Sequence, residues 1–197
     1  MKKKINSQAM QIAACLHDWL EYHVPSIKAC SKHTQRNYHI SMTLYAEFLR
    51  TVKGITPETL NANCFCKKNI EDWIVWMKKN RNCSPATCNV RLSALRAFLK
   101  YLSDCDISFV SVFLQAENVP NEKTPKRKVV GISKLVVDTL LSMPNQRTAI
   151  GFRDYTLMLL LYSTAVRINE LLTLKIHNIT MDCSKPHMIV IGKGRKK

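Results

Sequence analysis

Apolar residues recur at helical spacing through the first hundred positions. Met10, Ala13, Leu16, Trp19 and Leu20 fall near one face of a 3.6-residue period over residues 8–23, and Tyr38, Tyr45, Phe48, Leu49 and Val52 form a second stripe. The segment between them is polar, and Thr34 is placed to cap the second helix. A third helix begins after Thr56-Pro57-Glu58, or later at Asn69, and packs Ile70, Trp73, Ile74 and Met77. Thr56 as N-cap with Pro57 in the first helical position is a start signal, because proline fixes a helical φ where no amide donor is needed. Ser84-Pro85-Ala86-Thr87 repeats it. The fourth helix then runs to about Ser103, with Val90, Ala94, Leu95, Phe98, Leu99 and Leu102 on one side. The pattern predicts a four-helix domain over residues 8–115.

Residues 116–130 hold two prolines and the cluster Lys126, Arg127 and Lys128 without periodicity, which reads as a basic linker. A second domain follows over residues 131–197. It opens with a helix at Ser133–Ser142, turns at Met143-Pro144-Asn145 and resumes at Phe152. The run Thr156 to Val166 is apolar on nearly every side, so it is expected at the centre of its domain. Arg167 precedes a leucine-rich helix containing Glu170. Asn178, Asp182 and Pro186 then break the chain, and Met188 to Ile191 reads as a short strand. The fold class is mainly α, with a short β element near the end.

Charge adds a partner to this picture. The chain carries 30 Lys and Arg against 14 Asp and Glu, a net +16, with 16 basic and 9 acidic residues up to position 120 and 14 and 5 beyond it. Both halves attract polyanions, and no apolar stretch approaches the roughly 18 residues that span a bilayer, so nucleic acid is the expected partner rather than a membrane. On the fourth helix Asn89, Ser93, Arg96 and Lys100 lie together opposite the apolar stripe, a row of donors suited to phosphate oxygens or simply a solvated face. Arg91 projects on the apolar side and is expected to meet an acid or to snorkel. Ile12-Ala13-Ala14-Cys15 has the look of a cleavage box, but Asn6, Ser7, Gln8 and Gln11 occupy the place of a signal's apolar core. Eight cysteines, about 4% of the chain, fall short of a disulfide scaffold and fit reduced thiols in the cytoplasm. Cys64, Cys66, Cys83 and Cys88 do not have zinc-site spacing, so no metal is expected.

Arg167 is the residue that calls for chemistry, because a guanidinium between two apolar helices must be paired or used, and Glu170 one turn on is its structural partner. Here the sequence resembles the tyrosine recombinases, the phage-integrase family. Thr164-Ala165-Val166-Arg167-Ile168-Asn169-Glu170-Leu171-Leu172 follows that family's motif of a core helix running into an arginine, an acid and leucines. Ser84 to Leu102 resembles the last helix of its four-helix, SAM-like core-binding domain, and Thr34 to Leu49 an earlier one. The resemblance spans residues 8 to 197. It implies an α+β catalytic domain entered but not completed, with Gly192-Lys193-Gly194 at the turn of a β-hairpin.

The chemistry so implied is a transesterification without metal or cofactor, in which a tyrosine attacks the scissile phosphate. By the resemblance Arg167 clamps non-bridging phosphate oxygens, Lys193 protonates the leaving oxygen, and Glu170 supports the arginine. The family's His-x-x-Arg motif and its tyrosine would follow Lys193. All six tyrosines, Tyr22, Tyr38, Tyr45, Tyr101, Tyr155 and Tyr162, precede Arg167, and His33-Thr34-Gln35-Arg36 lies in the wrong domain. The chain is therefore expected to be a truncated catalytic domain that binds DNA, together with other recombinase protomers, and does not cleave it alone. The alternative is a non-enzymatic DNA-binding protein that occupies recombination sites or modulates an intact recombinase. Two departures stand out: Ala165 replaces the usual glycine, and Asn178 the usual acid.

Overall fold

The structure is a computed structural model that describes residues 6–27, 31–125, 130–181 and 184–190. The chain divides into two compact units, Met1–Lys126 and Arg127–Lys197.

In the first unit α1 (Ser7–Asp18) is capped by the Asn6 side chain, which accepts from the Gln8 amide. It passes into a π-helical segment, Trp19–Ile27, that contains Pro25. Proline has no amide to donate, so the tighter repeat cannot continue through it. Helix α2 (Lys32–Lys53) begins at the Ser31 cap and ends at Gly54, whose φ of 67° is the left-handed conformation that glycine adopts without strain. Thr56 and Pro57 start only a single 3₁₀ turn, so α3 (Lys67–Arg81) takes the later of the two starts read from the sequence. Helix α4 (Pro85–Cys105) starts at Ser84 and Pro85 as predicted. A fifth helix, α5 (Val110–Glu117), has no counterpart in the sequence reading.

Helix α4 is the hub, packing against α1, α2, α3 and α5. Its Leu92, Leu95, Phe98, Leu99 and Leu102 are fully buried with Trp19, Phe48, Ile70, Trp73 and Met77. Trp19 stacks on Tyr38 at 4.8 Å between ring centres, and Trp73 meets Tyr45 edge to face at 4.9 Å. The Tyr45 hydroxyl donates to the Cys64 carbonyl at 2.8 Å, which satisfies the one polar atom this cluster buries on that ring. Four stripe assignments need correcting. Met10, Ala13, Val52 and Val90 are exposed, because each sits at a stripe edge, while Ala9 and Ile12 take the buried positions on α1.

The second unit contains α6 (Lys134–Ser142), α7 (Ala149–Thr164) and α8 (Ile168–Leu172). Thr148 caps α7 through the Gly151 amide at 3.1 Å, and Gly151 is buried so tightly that a Cβ there would run into the Asn145 carbonyl. Strands β1 (Ile179–Thr180) and β2 (His187–Met188) pair antiparallel, Ile179 opposite Met188 and Thr180 opposite His187. Met188, read as the start of a strand, thus pairs with Ile179 of a preceding strand that the sequence reading did not place. Lys193 and the Gly192-Lys193-Gly194 turn lie outside the described residues, as do Lys126, Arg127 and Lys128.

The expectation that the 156–166 run forms the centre of its domain is not met. A helix apolar on all sides needs neighbours on all sides, and within the described residues of this unit the main neighbours of α7 are α6 and α8. Phe152, Leu159 and Tyr162 are exposed, as are Leu135, Val136, Ile168 and Leu172 around them.

Candidate nucleic-acid interface

Two places in the molecule gather groups suited to a phosphodiester backbone. The first is a groove of about 350 Å³ between the amino-terminal turns of α2 and α4, lined by Thr34, Asn37, Tyr38, Asn89, Val90 and Ser93. The Ser31 and Ser84 caps fix where each helix starts, and the burial of Tyr45 and Phe48 on α2 against Leu92 and Leu95 on α4 holds the two faces side by side. Lys32, His33 and Arg36 are exposed on the first turns of α2. The lining mixes the Thr34, Asn37, Asn89 and Ser93 side chains with the Tyr38 ring and with Val90, which is 53% exposed. Hydroxyls and amides at helix starts are groups suited to phosphate oxygens.

The four α4 donors expected to face phosphate have different fates. Ser93 is exposed and lines the groove. Lys100 is exposed, 3.7 Å from Asp104 and over the Phe113 ring. Asn89 lines the groove, yet both ends of its amide are taken by the chain: Nδ2 donates to the Glu122 carbonyl at 2.9 Å and Oδ1 accepts the Glu122 amide at 2.8 Å. Arg96 is more fully engaged. Its side chain is only 16% exposed, with Nε donating to the Ala116 carbonyl at 3.0 Å, Nη1 to Asn121 at 3.1 Å, and Nη2 to the carbonyls of Glu117 and Val119. These bonds satisfy carbonyls that the end of α5 leaves without helical partners. Lys78 adds an ion pair to Glu122 at 3.0 Å, and Ala116 and Val119 are buried. The start of the stretch read as linker is therefore a strap laid along part of α4, and it occupies Asn89 and Arg96 while Ser93 and Lys100 stay open to solvent. Arg91 also differs from expectation: its Nε is buried without an acceptor, and no carboxylate lies within ion-pair distance among the described residues.

The second place is Arg167. It is the N-cap of α8, and its side chain is 79% exposed rather than buried between helices. Glu170, at the third position of that helix, reaches back and accepts the Arg167 amide at 3.0 Å and its Nη1 at 2.8 Å. The partner expected from the sequence is thus in contact, and it holds the guanidinium by one edge with the rest facing solvent. These bonds, the backbone one first, draw the Glu170 carboxyl below its ordinary value of 4.5. A carboxylate with a depressed folded pKa stabilises the fold above its unfolded pKa, and the contribution is lost as pH falls through the folded value. In a carbon-detected titration Glu170 is expected to ionise below 4.5; a midpoint at or above it would mean that the pairing does not persist in solution.

Ala165, between α7 and Arg167, has φ 53° and ψ 21°. The family's glycine is explained by this backbone: the turn that aims the arginine is left-handed, where a Cβ costs about 1–2 kcal/mol. Ala165→Gly is expected to stabilise the second unit by about 1 kcal/mol, read as slower hydrogen exchange at α7 amides. No change, or faster exchange, would show that the turn relaxes in solution.

The description of a phage integrase N-terminal SAM-like domain matches residues 16–104, and that of the phage integrase family matches residues 131–197. The chain belongs to the phage integrase, or tyrosine recombinase, family. It is 24% identical over 190 residues to a putative integrase/recombinase y4rD of Sinorhizobium fredii, covering 96% of this chain and 68% of that one. It is 26% identical over 197 residues to tyrosine recombinase XerC of Chlamydia caviae, with 93% and 61% covered. Against XerC of Staphylococcus saprophyticus identity is 28% over 171 residues, with 86% and 53% covered. The chain thus spans between about half and two thirds of the length of these relatives.

Proposed function

We propose that this protein binds double-stranded DNA through the α2–α4 groove and serves DNA integration or site-specific recombination, acting with other recombinase protomers on the DNA. The observation that carries this reading is the groove itself: two helix starts held side by side, with Thr34, Asn37 and Ser93 among the residues that line it and exposed cations on the first turns of α2, in a chain of net +16. Arg167 is the phosphate-clamping group, its fork open to two non-bridging oxygens, and Glu170 is its positioning residue. Lys193, by the family motif, protonates the leaving oxygen. Lys126, Arg127 and Lys128 add sequence-independent attraction between the units.

The test is a duplex carrying a nicked recombination site. A polypeptide of residues 1–197 is expected to shift this duplex in a native gel and to leave no covalent adduct after denaturation, since no tyrosine follows Arg167. An adduct that survives detergent would overturn the assignment of the nucleophile. Absence of any shift at low salt would overturn DNA binding. The same placement of the tyrosines favours a second reading, a DNA-binding chain that competes with an intact recombinase; it predicts that adding this polypeptide lowers an intact relative's adduct yield at a shared site.

A further inference from the structure

The amino-terminal helix carries a thiol chemistry that DNA binding does not use. Helices α1 and α4 pack together, and Gln11 Nε2 donates to Asp106 Oδ2 at 2.7 Å across them. One turn along α1 from Gln11 is Cys15, and immediately before Asp106 is Cys105. The two helical segments run antiparallel, with Gln11 on Asp106, Trp19 against Phe98 and His23 against Tyr101 at 4.7 Å between ring centres, and this brings Cys15 and Cys105 to the same level of the α1–α4 contact. Cys105 is exposed and Cys15 half-buried behind it, whereas Cys64 and Cys88 are buried.

We propose that Cys15 and Cys105 are a redox-modified site: a dithiol that a low-molecular-weight disulfide oxidises to an intramolecular disulfide joining α1 to α4. The exposed Cys105 thiolate attacks the small disulfide, forming a mixed disulfide and expelling one small thiolate. The Cys15 thiolate then attacks the Cys105 sulfur and expels the second. The protein pair loses two electrons, the small disulfide gains them, and the two protein-thiol protons end on the two released thiolates. Burial first, then the adjacent Cys105 thiol, push the Cys15 thiol up to about 11, with Asp18 and Asp106 acting in the same direction. The attacking Cys15 thiolate is therefore scarce at neutral pH, and closure is faster under alkaline conditions. The link closes a loop of about ninety residues, which removes much conformational freedom from the unfolded chain. It fixes the first helix to the helix that lines the groove.

The whole chain is treated with excess glutathione disulfide at mildly alkaline pH, blocked with N-ethylmaleimide, digested and read by mass spectrometry. A Cys15–Cys105 linked peptide pair is expected within one chain, with a thermal midpoint raised by roughly 5–10 °C that dithiothreitol reverses. Cys105→Ser, at an exposed position that tolerates serine, is expected to abolish both the link and the shift; Cys15→Ser does the same where its circular dichroism is unchanged. Recovery of Cys15 and Cys105 as separate maleimide adducts, of Cys105 as a glutathione adduct alone, or of links only to other cysteines or other chains would overturn the proposal.

Discussion

Duplex affinity of the whole chain is expected to fall about a thousandfold between roughly 50 and 200 mM monovalent salt, in the manner of a protein that displaces some five or six counterions. The excess of 30 basic over 14 acidic side chains is spread over both halves, so several phosphates are neutralised at once. Several cations are already engaged. Arg96 is bound to its own chain, and Lys53, Lys78 and Arg81 are paired with Asp72, Glu122 and Glu47. Those charges gain little from a phosphate because they would have to leave a carboxylate or carbonyl first. Lys32 and Arg36, exposed on the first turns of α2, have no such cost. Arg36→Ala is expected to weaken binding to all sequences alike and to flatten the salt slope by about one counterion, whereas Asn37→Ala changes the preference among sequences and leaves the slope alone. A slope near zero for the parent chain, measured by fluorescence anisotropy on a labelled duplex, would remove the electrostatic basis of the proposed function.

The contrast between those cations shows where sequence reading reaches and where it stops. Helices α2, α3 and α4 are legible because each carries an apolar stripe of two turns or more, and α2 and α4 also carry an oxygen-bearing cap. Helix α5 is eight residues with two buried positions, Val112 and Ala116, too short for a period to stand out. Missing it has a consequence, because α5 and the strap after it lie over part of α4. A helical wheel gives the direction of Arg96 and Asn89 but not what the chain later places there, so an occupied face read as an open one. Arg167 fails in the opposite sense: the apolar runs on either side imply burial, but the left-handed turn at Ala165 swings it outward. The Arg167–Glu170 pair was legible because it is local, three residues apart on one helix start. The groove was not, since its lining combines Asn37 from one helix with Ser93 from another, and only packing brings them together.

Arg96→Ala is expected to destabilise the first unit by about 2–3 kcal/mol, which is large for a residue that touches no ligand. One side chain supplies donors to three backbone carbonyls and to the Asn121 amide, and truncation leaves those carbonyls beside the buried Ala116 and Val119 with only partial access to water. The strap then depends on Asn89 and on the Lys78–Glu122 pair, whose groups are part-exposed and individually weak. Lysine at this position keeps the charge but not the planar fork, so Arg96→Lys is expected to recover less than half of the loss. The measurement is convenient because all three tryptophans, Trp19, Trp73 and Trp76, lie in the first unit, and urea unfolding followed by their fluorescence reports it alone. The same variants separate the two roles read for this residue. If Arg96 holds the strap, Arg96→Ala lowers the midpoint while the salt slope of DNA binding, measured well below the unfolding transition, stays as in the parent. A slope reduced by about one with the midpoint unchanged would mean that the guanidinium leaves its carbonyls for a phosphate, and α4 would present to DNA the face that its own chain covers here.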